Sequence, residues 1–192
     1  TEYKLIDLLE KINKIEGIER IRLGSIEPLL INEEFMKRLI KLEKVCHHFH
    51  LSLQSGCDET LKRMNRRYTT QQFEEIVKRL RKAYDNVNLT TDIIVGFPGE
   101  TEKNFEDTLD VVSKVHFEQV YMFIYSRRVG TPADKMENQV PDEVKHERFD
   151  RLKKLAESQI AGNNQKYVNT IQKVLVEGKS KTNENMLTGR TE

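Results

Sequence analysis

Leu89-Thr90-Thr91-Asp92-Ile93-Ile94-Val95-Gly96-Phe97-Pro98-Gly99-Glu100-Thr101 is the stretch that decides the fold. Its apolar centre, Ile93 to Val95, reads as a buried strand. Gly96 and Gly99 let the backbone turn sharply and approach a ligand closely, and Thr101 caps a following helix with Asn104 at its third position. An anion or an adenine-bearing ligand suits such a turn; an ordinary strand-to-helix connection explains it equally well. The same order recurs on either side. Strands are expected at Ile18 to Ile26, His48 to Leu53 and Gln119 to Tyr125, and helices at Asn32 to Leu42, Thr70 to Tyr84, Thr101 to Val115 and Pro141 to Ala161. Strands joined by helices of this length need crossover connections, so the sheet is expected to be parallel with right-handed crossovers. The fold class is α/β, either a (βα) barrel or an open sheet.

The chain opens on a helix, Tyr3 to Ile15, whose own strand does not precede it, and four strand-helix units are half of an eight-unit barrel. Gly162, Asn163 and Asn164 are expected to loosen the last helix, and the alternation Ile171, Lys173, Leu175, Glu177 begins a new strand. Residues 1–165 thus read as the later portion of a barrel and residues 166–192 as the start of a small β domain, with both ends looking cut. The 192 residues are 37% hydrophobic and 33% charged, with 32 basic against 31 acidic side chains. That composition excludes a disordered chain, and no run of about 20 apolar residues is available to cross a bilayer. The start, Thr1-Glu2-Tyr3-Lys4, carries no apolar leader, so a cytoplasmic location is the default.

In parallel α/β folds the chemistry gathers where strands run into their loops. Here those positions are Gly24, Ser25, Glu27 and Pro28; Gln54, Ser55 and Gly56; Gly96 through Glu100; and Ser126, Arg127, Arg128, Gly130, Thr131 and Pro132. All four strand ends are polar or glycine-rich, which favours a site over chance loop composition. Lys62, Arg63, Arg66 and Arg67, with Tyr68 beside them, form a basic cluster suited to RNA phosphates and to stacking on an unpaired base. The later run Lys78, Arg79, Arg81, Lys82 has Glu74, Glu75 and Asp85 nearby and reads as a solvated helix face. Cys46, His48 and His50 share one side of a strand, but three donors on one extended run rarely converge on an ion, so they read as barrel-lining residues and no metal ligand is assigned. His116 and His146 read as surface positions, and no Ser/His/Asp arrangement is defined, leaving catalytic residues unassigned.

Five stretches, Leu23 to Pro28, His48 to Gly56, Leu61 to Thr69, Thr91 to Thr101 and Tyr125 to Ala133, together resemble the radical S-adenosylmethionine (SAM) methylthiotransferases over almost the whole chain. Leu187 to Glu192 resembles the opening of the RNA-binding TRAM domain that follows the barrel in that family. The forms Leu-Gly-Ser-Ile-Glu-Pro, Asn-Arg-Arg-Tyr-Thr and Ser-Arg-Arg are most similar to the branch acting on threonylcarbamoyladenosine, the isopentenyladenosine and ribosomal-protein branches usually differing there. The resemblance implies methylthiolation at C2 of the modified adenosine next to the anticodon, position 37, in a tRNA anticodon stem-loop. It implies SAM, two [4Fe-4S] clusters and, for the full-length enzyme, iron-sulfur and electron-donor proteins as partners. The family's CxxxCxxC segment is not in this sequence, and Cys46 and Cys57 match no cluster position, so the chain alone is expected to be inactive. By the same resemblance Ser25, Glu27, Gln54 and Ser55 are candidates for the ribose or amino-acid part of SAM. Asp92 and the turn Gly96, Phe97, Gly99 are candidates for its adenine and ribose pocket. Arg66, Arg67, Arg127 and Arg128 are candidates for RNA phosphates or the threonylcarbamoyl carboxylate. The competing readings are action on isopentenyladenosine, an RNA-binding module without chemistry, and a barrel enzyme for phosphorylated metabolites.

Overall fold

A computed structural model describes residues 3–191; Thr1 and Glu2 of the opening stretch and Glu192 of the terminal one lie outside the described residues. The elements are α1 (Leu5–Asn13), β1 (Ile21–Ile26), α2 (Glu33–Leu39), β2 (Val45–Leu51), α3 (Asp58–Arg63), α4 (Thr70–Ala83), β3 (Asn88–Val95), α5 (Glu102–Val115), β4 (Gln119–Ile124), α6 (Asp142–Gln165), β5 (Leu175–Lys179) and β6 (Leu187–Arg190). Strands β1 to β4 form one sheet in sequence order, every pair parallel, and β5 and β6 form an antiparallel hairpin. The four expected strand-helix units are therefore present.

Local chemistry explains the helix starts. Asn32 accepts the Phe35 N–H at 2.9 Å, and Thr69 with Gln72, then Thr101 with Asn104, close reciprocal capping boxes. One hydrophobic cluster joins the sheet to its helices. Leu23, Phe49, Leu51, Leu89, Ile93, Val95 and Val120 meet Leu39, Phe73, Leu80, Phe105, Val112 and Leu152. Because side chains alternate along a strand, burying this set commits the intervening residues to the opposite face. Among the described residues no helix of the cluster lies over that face, so the sheet they form is covered on one side and open on the other.

Leu61 to Arg63 of the basic cluster belong to the short helix α3. Two expectations are corrected. Gly162, Asn163 and Asn164 do not end α6, which runs on to Gln165; Gln159 and Asn163 tie it to the Val112 and Phe117 carbonyls at 3.2 and 3.0 Å. The strand expected from Ile171 begins at Leu175, after an extended stretch.

Candidate functional site

The open face of the sheet is a basin of about 910 Å³. Arg22, Gly24 and Ser25 come from β1, His48 and His50 from β2, Thr90 and Asp92 from β3, Tyr121 and Phe123 from β4, and Arg190 from the hairpin. On β2, β3 and β4 the lining positions are alternate ones, as the pleat requires, whereas β1, whose pairing with β2 is irregular, contributes the consecutive run Arg22 to Ser25. A hydrogen-bonded chain crosses the floor. His48 Nε2 lies 3.5 Å from the Thr90 hydroxyl, which is 3.0 Å from His50 Nδ1, and His50 Nε2 is 3.0 Å from Asp92 Oδ2. With His50 donating from Nε2 to the carboxylate, its Nδ1 accepts from Thr90, and the carboxylate is held in one orientation at the edge of the basin. Burial first, then Arg22 and His50, push His48 down to about 4, so it is neutral at physiological pH. Ser25 and Gln54, at the ends of neighbouring strands, both have positive φ, 29° and 68°, a costly conformation for side-chain-bearing residues. Gln54 carries the β2–β3 ladder one step further, its N–H donating to Asp92 O at 2.8 Å and its carbonyl accepting from Ile94 at 2.9 Å.

The sequence candidates fall into separate groups. Gly24, Ser25 and Asp92 line the basin. Gln54 and Ser55 are buried beyond the end of β2 and do not line the basin; Ser55 Oγ is 3.3 Å from Thr108 Oγ1 of α5 and accepts the Cys57 N–H. Glu27 is drawn to Arg66 at 3.5 Å, outside the basin. Arg127 is engaged by Asp134, and Arg67 and Arg128 are exposed away from the basin. Tyr68, read as a possible stacking surface, is a correction: it is buried against Phe73, its hydroxyl donates to the Ser52 and Leu53 carbonyls, and burial pushes its phenol up.

The turn after β3 is occupied by the protein itself. Gly96, Phe97 and Glu100 are buried, and Gly96 N–H donates to Glu100 Oε1 at 2.9 Å. Arg148 donates to both the Glu100 carboxylate and its carbonyl, at 2.9 and 3.0 Å. Burial pushes the Glu100 carboxyl up, opposed by the Gly96 N–H and Arg148. A side chain at Gly96 would collide with Lys145 Cγ, and Gly99 N–H donates to Asn138 O at 2.6 Å. Gly96, Phe97 and Gly99 do not line the basin.

Cys46 and Cys57 are both free and buried. Cys46 lies near the start of β2 and Cys57 beyond its end, so at about 3.3 Å per strand residue they are more than about 15 Å apart. They cannot share an iron-sulfur cluster, and no group of three metal-ligating side chains occurs among the described residues. Nor is any helix among them long and apolar enough to cross a membrane. The sequence reading missed Arg22, Thr90, Tyr121 and Phe123. The available signal was the period-two alternation of each strand, used for His48 and His50 but not extended to β1, β3 and β4.

Residues 1–112 match the model of the radical SAM superfamily. The chain belongs to that superfamily. Its sheet is similar to the structure titled "Coproporphyrinogen III oxidase (HemN) from Escherichia coli is a Radical SAM enzyme", with a TM-score of 0.65 over 81% of this chain and 36% of that one, at 16% identity. Proteins named tRNA-2-methylthio-N(6)-dimethylallyladenosine synthase are similar to this radical SAM chain over nearly its full extent. The one from Caldicellulosiruptor saccharolyticus is 53% identical over 184 residues, 96% of this chain and 39% of the relative. Those from Alkaliphilus oremlandii (51% over 185 residues; 96% and 39%) and Clostridium novyi (47% over 190; 99% and 42%) are similar in the same way. The chain spans about two fifths of the length of these relatives. Their names carry dimethylallyl, which corrects the resemblance drawn to the threonylcarbamoyl branch. Some of the residues used for that branch assignment serve the fold and so carry no substrate information: Leu23, Ile26 and Tyr68 are core residues and Arg127 is ion-paired to Asp134.

Proposed function

We propose that this chain is the cofactor- and substrate-facing part of a tRNA methylthiotransferase that adds a methylthio group to N6-dimethylallyladenosine beside the anticodon. The observation that carries this reading is the shared name of relatives 47 to 53% identical across nearly the whole chain. The basin supports it. A threonylcarbamoyl carboxylate calls for a bidentate guanidinium, and at the basin it would compete with contacts already made, Arg22 donating to Thr191 O at 3.3 Å and Arg190 pairing with Glu177 at 3.3 Å. Arg66 and Arg127, assigned to that carboxylate or to phosphates, hold Glu27 and Asp134 instead.

SAM would enter the same basin, whose size suits a nucleoside-sized ligand. Asp92, oriented by His50, accepts hydrogen bonds from ribose hydroxyls, and Ser25 and Gln54 place polar groups at the adjoining strand ends. When bound, SAM supplies an activated sulfonium nucleoside; the two cysteines of this chain do not fit a cluster, so any cluster ligands come from elsewhere. Lys62, in the last turn of α3, and Arg67, just beyond that helix, are exposed and remain available to RNA phosphates.

A graft tests the reading. The described residues replace the matching segment of the Alkaliphilus oremlandii relative, the graft is expressed in a bacterium deleted for its own enzyme, and tRNA nucleosides are weighed by mass spectrometry. Gain of a methylthio group on N6-dimethylallyladenosine is expected. A soluble graft that modifies threonylcarbamoyladenosine instead, or neither nucleoside, refutes the proposal.

A further inference from the structure

Strand β4 is one of the two edge strands of the sheet among the described residues, and its two faces differ sharply. Val120, Met122 and Ile124 pack into the core, whereas Tyr121 and Phe123 stand on the open face with 49% and 52% of their surfaces exposed. Large aromatic rings left half in water at alternate positions of one strand make an apolar platform in an otherwise polar basin. Its neighbours extend the division. Phe123 is the register partner of Ile94, a half-buried residue on the open face that takes no part in the core. Tyr121 is the partner of Asp92 and lies 5.6 Å, ring to ring, from His50. The basin therefore has a polar half over β1 to β3 and an aromatic half over β4.

We infer that Tyr121 and Phe123 determine substrate specificity, Tyr121 stacking on the target purine and Phe123 with Ile94 receiving its apolar N6 substituent. The inference rests on the dimethylallyladenosine reading and deepens it. An unpaired base gains from an exposed aromatic ring whatever its identity. A branched five-carbon tail gains from leaving water only against apolar surface, and Phe123, with Ile94 beside it in register, offers that surface at the β4 side of the basin. The Asp92 carboxylate at the boundary disfavours an anionic substituent in the same place. The geometry thus selects by tail chemistry on β4, while the polar half remains for hydroxyl-bearing groups.

The graft described above, carrying Phe123→Ala, Phe123→Leu or Tyr121→Ala, is titrated with anticodon stem-loop RNAs that bear either dimethylallyladenosine or plain adenosine. All three variants alter exposed side chains, and circular dichroism checks their folding. Phe123→Ala is expected to weaken the dimethylallyl RNA about tenfold and plain RNA little, while Phe123→Leu retains most of the preference. Tyr121→Ala is expected to weaken both RNAs alike, by about fivefold or more. Equal losses on both RNAs for Phe123→Ala, or an unchanged preference in every variant, overturn the assignment while leaving the proposed function standing. A graft without substitutions that shows no preference for the dimethylallyl RNA refutes the specificity claim and counts against the proposed function itself.

Discussion

The turn from Gly96 to Glu100 and the open face of the same strand, β3, invite opposite readings in sequence and in space. The turn has the glycines and polar residues of a ligand loop, yet its groups bond inward to Arg148, Asn138 and one another. Thr90, which looks like an ordinary strand residue, and Asp92, a candidate only through the family resemblance, form the floor of the basin with His48 and His50. Glycine allows close approach, but what approaches Gly96 here is Lys145 of α6, not open space. A permissive backbone shows that something packs closely; it does not say whether that something is a ligand or the protein.

The sharpest way to break this contrast is to unmake the turn's buried ion pair. Arg148 and Glu100 side chains are 5% and 1% exposed, so Arg148→Met leaves a carboxylate buried without its partner and should cost about 3–5 kcal/mol in denaturant unfolding. A loss under about 1 kcal/mol would mean the turn is not held as described. Next in size is Gly96→Ala. Its φ of +74° and the close Lys145 side chain should together cost about 1–3 kcal/mol, again read from unfolding midpoints. The smallest effect belongs to the open face. His48 is held at about 4, below its ordinary value near 6.5. The unfolded chain therefore binds more protons between those values, and stability should rise as pH increases from about 4 to 6.5 and level off above. His48→Gln should flatten that part of the melting-temperature profile; an equally steep profile in the variant would remove His48 as its source.

The parts of the fold that follow from short-range rules were legible. Thr101 and Asn104 announced a helix start and formed one, and the apolar runs around Phe49 and Ile93 became the buried strands of a parallel sheet. The placement of His48 and His50 on one strand side was legible by the same alternation. What escaped was pairing between distant residues. Nothing near Glu100 in sequence points to Arg148, and nothing near Asp92 points to His50, because both contacts are set by crossovers that bring elements together over some forty positions or more. Tyr68 escaped because a basic neighbourhood suggested solvent, while the ring turns under its own loop to reach the Ser52 and Leu53 carbonyls. The aromatic half of the basin was hidden because Tyr121 and Phe123 in a strand read as core.

Strands β1 and β4 each have a single ladder neighbour among the described strands, β2 and β3 respectively. Their outer flanks carry backbone donors and acceptors in parallel spacing, so lateral growth of the sheet by another strand on either side needs no change in the pairs already made. It also makes the flanks adhesive: at high concentration the isolated chain should self-associate through its margins, and salt should do little to dissolve such assemblies.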